Sequence, residues 1–449
     1  MEKKNVVLLD GAGAADEDLR VAREVLCQVL RDSGAEVEVF TLRKMRLAHC
    51  LGCFNCWIKT PGMCVESDAG REVAKAVIRS DATVLFTPVT FGGYSPELKK
   101  MMDHFIQLIS PLFEIEHGEM HHPPRYDRRP RLMVAGVQRE CRPKEERIFK
   151  TLAGRNAINL HPPSYAAEVV QCGESEEELR RQFEGMLTRS DELPYGEIAA
   201  SIMPAAVAAD SLIELRNTRR ALLIVGSPKT NEPSTSGALG GFLLAELDRK
   251  GWEVETLTLR AKLNQPEGEN ELAAAVERAG LVVLAFPLYA DALPYLMTKA
   301  MAVIAERRRA GRVTSPERLA AIVNSGFPET HQNAVAMAIC LEFALQCGFT
   351  WAGGLAFGGG GMIGGHPLTE ANRPGPPVKQ AVEALEMTAA ALANGLPVPG
   401  EAINIIARKP LPFAVWNRLY AFMASRSFKK LAAKNGIAKE KLLAQPYAA

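Results

Sequence analysis

The chain has 449 residues, room for two or three domains, and its 53 Lys and Arg nearly cancel its 52 Asp and Glu to leave +1. That balance lacks the field needed to hold nucleic acid or anionic lipid, and 47% hydrophobic against 23% charged residues suits a chain that buries real cores. Nine Cys, four of them crowded into residues 50–64, point to metal or redox chemistry in a reducing compartment rather than to structural disulfides.

Asp10 cuts the first apolar run short, and no run reaches the roughly 18 residues that span a bilayer, so a cytoplasmic protein is expected. Residues 5–9 (NVVLL) read as a buried strand and residues 16–33 as a helix ended by Gly34. Strands follow at 36–40, 82–87, 131–136 and 166–170. Between them helices are expected at 68–80 with Asp68 as cap, 96–109, 143–154 and 175–190. After an irregular stretch at 191–217 the pattern restarts. Strands are expected at 221–225, 253–259, 281–286, 319–324 and 351–357. Helices are expected at 237–250, 269–279, 294–309, 332–347 and 377–394.

The two passes align in sequence as well as in order: GAEVEVFTLR at 34–43 matches GWEVETLTLR at 251–260. Strands alternating with helices imply a parallel sheet covered on both faces. The expected fold is therefore α/β, two tandem flavodoxin-like doubly wound domains of five parallel strands each, at 1–195 and 218–398. Residues 399–449 are expected as a C-terminal helical tail. Its amphipathic stretch at 410–434 is basic near the end, too sparsely for a membrane-surface helix.

The first strand of the second copy runs into Gly226-Ser227-Pro228-Lys229-Thr230-Asn231-Glu232-Pro233-Ser234-Thr235-Ser236 and then a helix. Amides, hydroxyls and a helix N-terminus suit a phosphate monoester. The plain alternative is a Ser-rich turn that caps the helix. The loop is neither a Walker loop nor a dinucleotide fingerprint.

Here the sequence resembles the NAD(P)H-dependent FMN reductase family, which is flavodoxin-like. The loop G-S-P-x5-S-T-S looks like that family's phosphate loop, although the family often has one residue fewer before its final Ser/Thr group. The family also sets a P-x-Y/F segment after the third strand against the flavin. The matches are Pro287-Leu288-Tyr289, with Ala290 following, and Pro88 to Ser95, containing Phe91, Gly92 and Tyr94. The iron–sulfur flavoprotein branch, with its cluster-free relatives, fits almost all of the first copy.

The resemblance implies an FMN-dependent oxidoreductase that takes hydride from NAD(P)H and passes electrons to a small-molecule or protein acceptor. It also implies a homodimeric arrangement and no catalytic side chain, since the cofactor carries the chemistry. The implied FMN contacts are Ser227, Lys229, Thr230, Ser234, Thr235 and Ser236, then Pro287, Leu288, Tyr289 and Ala290. Asn324 and Gly326 after the fourth strand, and Gly358 and Gly359 after the fifth, complete the second copy's set. The first copy departs from the family at its own first loop, where Asp10, Asp16, Glu17 and Asp18 make a poor phosphate cradle. FMN is therefore expected on the second copy, with the first supplying the cysteine loop and Phe91, Gly92 and Tyr94 as a lid. Two other readings are an FMN-binding electron carrier or redox sensor without NAD(P)H turnover, and a non-catalytic scaffold.

Cys50, Cys53, Cys56 and Cys64 have the spacing C-x2-C-x2-C-x7-C. Four thiolates suit a [4Fe–4S] cluster or zinc, and a metal-free loop is the third reading. His117, Glu119, His121 and His122 are read as a solvated insertion rather than a metal site, and the five remaining cysteines as small apolar residues.

Overall fold

The computed structural model describes residues 4–195, 218–229, 233–263, 265–311, 317–369, 375–409 and 411–448. The chain divides into two compact units, Met1–Gly196 with Asn417–Ala449, and Glu197–Trp416.

The first unit contains β1 (Lys4–Asp10), β2 (Ala35–Thr41) and β3 (Ala82–Pro88). A small antiparallel hairpin of β4 (Glu114–Glu116) and β5 (Glu119–His121) follows, then β6 (Arg131–Gln138) and β7 (Tyr165–Gln171). The five long strands form one parallel sheet in the order β2-β1-β3-β6-β7, the doubly wound flavodoxin-like order. All seven residues of β3 are buried, as a central strand covered on both faces requires. The helix Arg20–Asp32 buries Ala22, Val25, Leu26, Val29 and Leu30, a stripe at three- and four-residue spacing, and packs it on one face of the sheet. Each such aliphatic side chain contributes on the order of 1.5–3 kcal/mol on burial. Asp68, Ser95 and Ser175 cap the helices that follow them by accepting first-turn amides.

The helix expected over 96–109 is shorter. It runs Pro96–Met102 and tightens into 3₁₀ turns over Asp103–Leu108. The tighter winding turns His104 and Gln107 toward the cysteine loop, where His104 Nε2 donates to Ala48 O at 2.8 Å and Gln107 Oε1 accepts from Cys64 N at 3.0 Å. The hairpin β4–β5 has no counterpart in the expected elements.

The second unit repeats the plan. Its strands are β8 (Arg220–Val225), β9 (Glu253–Thr258), β10 (Leu281–Pro287), β11 (Arg318–Asn324) and β12 (Thr350–Phe357), all parallel, in the order β12-β11-β10-β8-β9. Its core joins Leu223, Leu243, Leu247, Val283 and Ile322 to Leu385 and Ile405 from the later helices. Gly353, at φ 96°, carries β12 past Val398, where a Cβ would come within 3.0 Å of that side chain.

The segment expected as one tail is divided. The helix Gly400–Ala407 buries Ala402, Ile405 and Ile406 in the second unit's core. Residues from Asn417 onward belong to the first unit. There Ser425 Oγ accepts from Phe113 N at 2.9 Å, and the Arg125 guanidinium donates to Leu442 O and Ala444 O at 3.1 and 3.0 Å. Their apolar and hydrogen-bonded faces find partners in the first unit, which amphipathic patterning alone could not specify. Among the described residues no helix is long and apolar enough to cross a membrane.

Candidate functional site

In the second unit the loops at the carboxyl ends of the strands are bonded into one floor. Gly226 N donates to Ala285 O at 2.8 Å, tying the end of β8 to β10 at the switch point of the sheet. Ser236 Oγ donates to Asn324 Oδ1 at 2.8 Å, and both side chains are buried. Thr235 Oγ1 donates to Gly360 O at 3.2 Å, while Gly360 N donates to Ser325 O and Leu288 N to Asn324 O, each at 2.8 Å. A Cβ at position 360 would lie 2.9 Å from Asn324 Nδ2, and one at 358 only 2.3 Å from Pro328 O. Glycine is required at both places for the β11 and β12 loops to meet.

This arrangement sorts the three hydroxyls of the loop. Ser236 is spent inward on Asn324 and Thr235 on Gly360. Ser234 caps the helix Thr235–Asp248 by accepting from Gly237 N at 3.0 Å, which leaves its own hydroxyl proton to donate. Ser227 likewise accepts from Lys229 N at 3.5 Å. Two hydroxyl donors and the helix's first-turn amides fit a phosphate monoester. Thr230 lies outside the described residues. The capping reading of Ser234 and the phosphate reading are compatible, because they use different atoms of the same hydroxyl.

After β10 the chain makes a two-residue turn in which Tyr289 and Ala292 bond each other's backbone, with Ala290 at φ 45° and Asp291 at φ 57°. Two consecutive non-glycine residues in the left-handed region store strain of order 1–3 kcal/mol each, a feature that concentrates at ligand clamps. The first unit repeats this turn at its equivalent position, where Thr90 bonds Gly93 around Phe91 at φ 54° and Gly92 at φ 82°. The two turns differ in cover. Pro287, Leu288, Tyr289 and Ala290 are half-buried. Phe91 and Tyr94 are buried, Tyr94 edge-on to Phe149 at 5.6 Å, and a Cβ at Gly92 would meet Ile148 at 2.7 Å. Helix Pro143–Leu160 thus packs over the first turn within its own unit. Gly326 has open space around its Cα, and Gly359 holds φ 69°.

The first unit's own first loop is filled by its carboxylates. Asp10 Oδ1 accepts from Ala12 N at 3.0 Å and Asp16 Oδ2 from Gly13 N at 2.7 Å. Arg23 pairs with Asp10 at 2.9 Å, and Arg139 clamps Asp16 and Asp18 at 2.7 Å each. The hydrogen bond from Arg139 holds the Asp18 carboxyl below its ordinary range. Two amides of this loop, those of Ala12 and Gly13, thus already face a carboxylate of the chain.

The four clustered cysteines line one cavity, beside His49, Glu66, His104 and Gln107. Phe54, at φ 55°, starts the one-turn helix Asn55–Ile58 between Cys53 and Cys56. Arg71 donates to Cys64 O and Val65 O at 2.9 and 3.1 Å. Cys56 is buried and Cys53 exposed. Burial, then the neighbouring Cys64 and Cys53, pushes the Cys56 thiol up to about 12, and burial raises Cys50 as well. Thiols so placed stay neutral until a cation compensates them. Among the described residues the four sulfurs do not form a set within 4.8 Å of one another. A tetrahedral zinc with Zn–S of about 2.3 Å needs sulfurs roughly 3.8 Å apart, closer than these four stand.

Of the hairpin's histidines, His117 is exposed as expected, but the other two are not solvated. His121 and His122 are buried, because β5 folds its side chains under the unit's surface. His122 lies 4.8 Å from the Trp57 ring and 4.5 Å from Phe113, and burial lowers it to about 4. Of the scattered cysteines, Cys27, Cys340 and Cys347 are buried, whereas Cys141 is exposed.

Residues 9–166 match the family model of NADPH-dependent FMN reductase. The chain is 36% identical over 83 residues to an iron-sulfur flavoprotein of Methanocaldococcus jannaschii, covering 18% of this chain and 42% of that protein. It is 32% identical over 77 residues to an iron-sulfur flavoprotein of Archaeoglobus fulgidus, covering 17% of this chain and 34% of that one. The chain thus spans about two fifths or less of the length of these curated relatives. Among solved structures, an NAD(P)H:quinone oxidoreductase from Methanothermobacter marburgensis aligns at TM-score 0.30 with 13% identity, over 38% of this chain and 95% of that chain. An azoreductase from Bacillus anthracis aligns at 0.28 with 14% identity, over 39% and 99%.

Proposed function

From a first unit that matches the NADPH-dependent FMN reductase family, we propose that this chain is a flavin-dependent oxidoreductase whose FMN is held by the second unit. The observation that carries the reading is the contrast between the two first loops. Ser227 in the loop and Ser234 at the helix N-terminus keep hydroxyl protons to donate, whereas in the first unit Asp10 and Asp16 take two amides of the loop.

A bound FMN would supply the hydride and electron-transfer chemistry, between NAD(P)H and an acceptor. The chain's part is placement. Ser227, Ser234 and the first-turn amides would hold the phosphate. The Tyr289–Ala292 turn, strained at Ala290 and Asp291, presents half-buried groups beside it. Gly358 and Gly360 let the β11 and β12 loops close up as one wall. Cys50, Cys53, Cys56 and Cys64 would hold a [4Fe–4S] cluster, which when present supplies single-electron transfer. The acceptor is a small molecule or a protein.

The test is the visible spectrum of the protein as isolated, followed by NADH or NADPH under argon. Flavin absorption that bleaches on addition supports the reading. A colourless protein that takes up no added FMN overturns it.

A further inference from the structure

The hairpin β4–β5 carries a second set of ligand-type side chains, apart from the flavin loops and the cysteine cavity. Glu114 and Glu116 stand two residues apart on β4, so both side chains leave the same face. His161 meets that face from the end of the helix Pro143–Leu160, where it adopts φ 50°. One ligand atom from each of the three lies within 4.8 Å of the other two, and His161 Nδ1 is 3.5 Å from Glu116 Oε2.

The protons on these groups are determined by their other partners. His161 Nε2 lies 2.8 Å from the carbonyl of His122, so Nε2 must carry the hydrogen and donate it. In the neutral ring the lone pair is then on Nδ1, aimed at the carboxylates. Glu116 Oε1 accepts from the Tyr195 hydroxyl at 2.7 Å, while Oε2 is buried and accepts no hydrogen bond. With the ring neutral, a nitrogen lone pair and a buried carboxylate oxygen face each other, and a cation between them would satisfy both. Metal–ligand bonds of about 2.0–2.2 Å place adjacent ligand atoms roughly 3–3.5 Å apart, close to the separation here. The ring and the carboxylate are each oriented by an outer partner, as bound ligands commonly are.

We propose that Glu114, Glu116 and His161 form a site for a divalent metal ion of the manganese–zinc class. Two carboxylates and an imidazole match those ions, and three protein ligands leave positions open for water or a bound molecule. The ion would pin the hairpin to the end of the helix Pro143–Leu160.

Manganese is the probe of choice, because thiolates are poor ligands for it and the cysteine cavity stays silent. Full-length protein is titrated with Mn²⁺ and the free ion is followed by electron paramagnetic resonance. One bound ion per chain is expected. Glu116→Gln and His161→Ala should each weaken binding about 100-fold, and Tyr195→Phe, which removes only an orienting hydrogen bond, about 10-fold. Cys53→Ser should leave it unchanged. Glu114→Gln, isosteric and on a half-buried position, serves as a further ligand variant where His161→Ala perturbs the fold, with circular dichroism as the check. A wild-type chain that binds no Mn²⁺ at millimolar concentration, or variants that bind it as the wild type does, overturns the site. Failure here leaves the flavin reading standing, since the two share no residue.

Discussion

The ring of Phe428 stands edge-on to the indole of Trp57, their centroids 5.1 Å apart at 86°. Trp57 directly follows Cys56, so the segment from Asn417 onward, in the helix Phe413–Lys434, covers the cysteine loop within the first unit. Phe428 also meets Phe54 at 5.5 Å, and the Trp57 indole N–H is held from below by Ile106 O at 2.9 Å. Gln107, which takes Cys64 N, also accepts the Tyr447 hydroxyl at 3.0 Å. Pro446 sits against Gly62, where a Cβ would come within 2.6 Å.

Removing that cover should open the loop. Phe428→Ala forfeits two edge-on aromatic contacts, each about 0.5–1.5 kcal/mol beyond area burial. Thiol-reagent kinetics are expected to show faster modification at Cys53 and Cys56, with FMN content unchanged. Rates equal to wild type would mean that the C-terminal helix does not shield the cavity.

Ser234→Asp separates capping from anion binding. Aspartate caps a helix as well as serine does, so the melting temperature should stay within roughly 2 °C. A like charge about 4 Å from a phosphate near the surface costs about 4 kcal/mol, so FMN affinity by calorimetry should fall roughly 1000-fold. Retained affinity would place the phosphate elsewhere.

The cysteine cavity predicts a matched loss. Protein purified under argon should carry iron and acid-labile sulfide in equal amounts, and Cys56→Ser should lose both while keeping FMN. Iron-free protein with four freely titrating thiols would favour the metal-free loop.

The acidic loop of the first unit predicts a pH dependence. Arg139 depresses the folded Asp18 carboxyl, so the unfolded chain binds the proton first. The contact therefore stabilises above the ordinary carboxylate range and is lost as pH falls through the depressed folded value. Both side chains are well exposed, at 47% and 40%, so the contribution is about 1 kcal/mol or less. Arg139→Gln should lower the melting temperature at pH 7 by roughly 2 °C and converge with wild type in acid. A uniform drop at every pH would assign the effect to packing instead.

Much of this protein is legible along the chain because the signals are local. Strand and helix periods, and glycines such as Gly34 and Gly251 at φ 85° and 80°, depend on near neighbours, so two copies of one fold could be read directly. The acidic and hydroxyl-rich first loops differ in composition alone, and the carboxylates of Asp10 and Asp16 do fill their loop.

What needed the folded molecule were encounters between residues far apart in sequence. Ser236 looks like a phosphate ligand until Asn324 takes its hydroxyl, and Phe91 looks like a lid until the helix Pro143–Leu160 covers its turn. The histidines beside Glu119 drew attention in sequence, yet the ring that meets Glu114 and Glu116 is His161, brought there by the end of a helix. Nothing in residues 417–449 states which surface they cover. An amphipathic pattern fixes only that one face must be buried, and complementarity of shape and hydrogen bonding in three dimensions selects the partner.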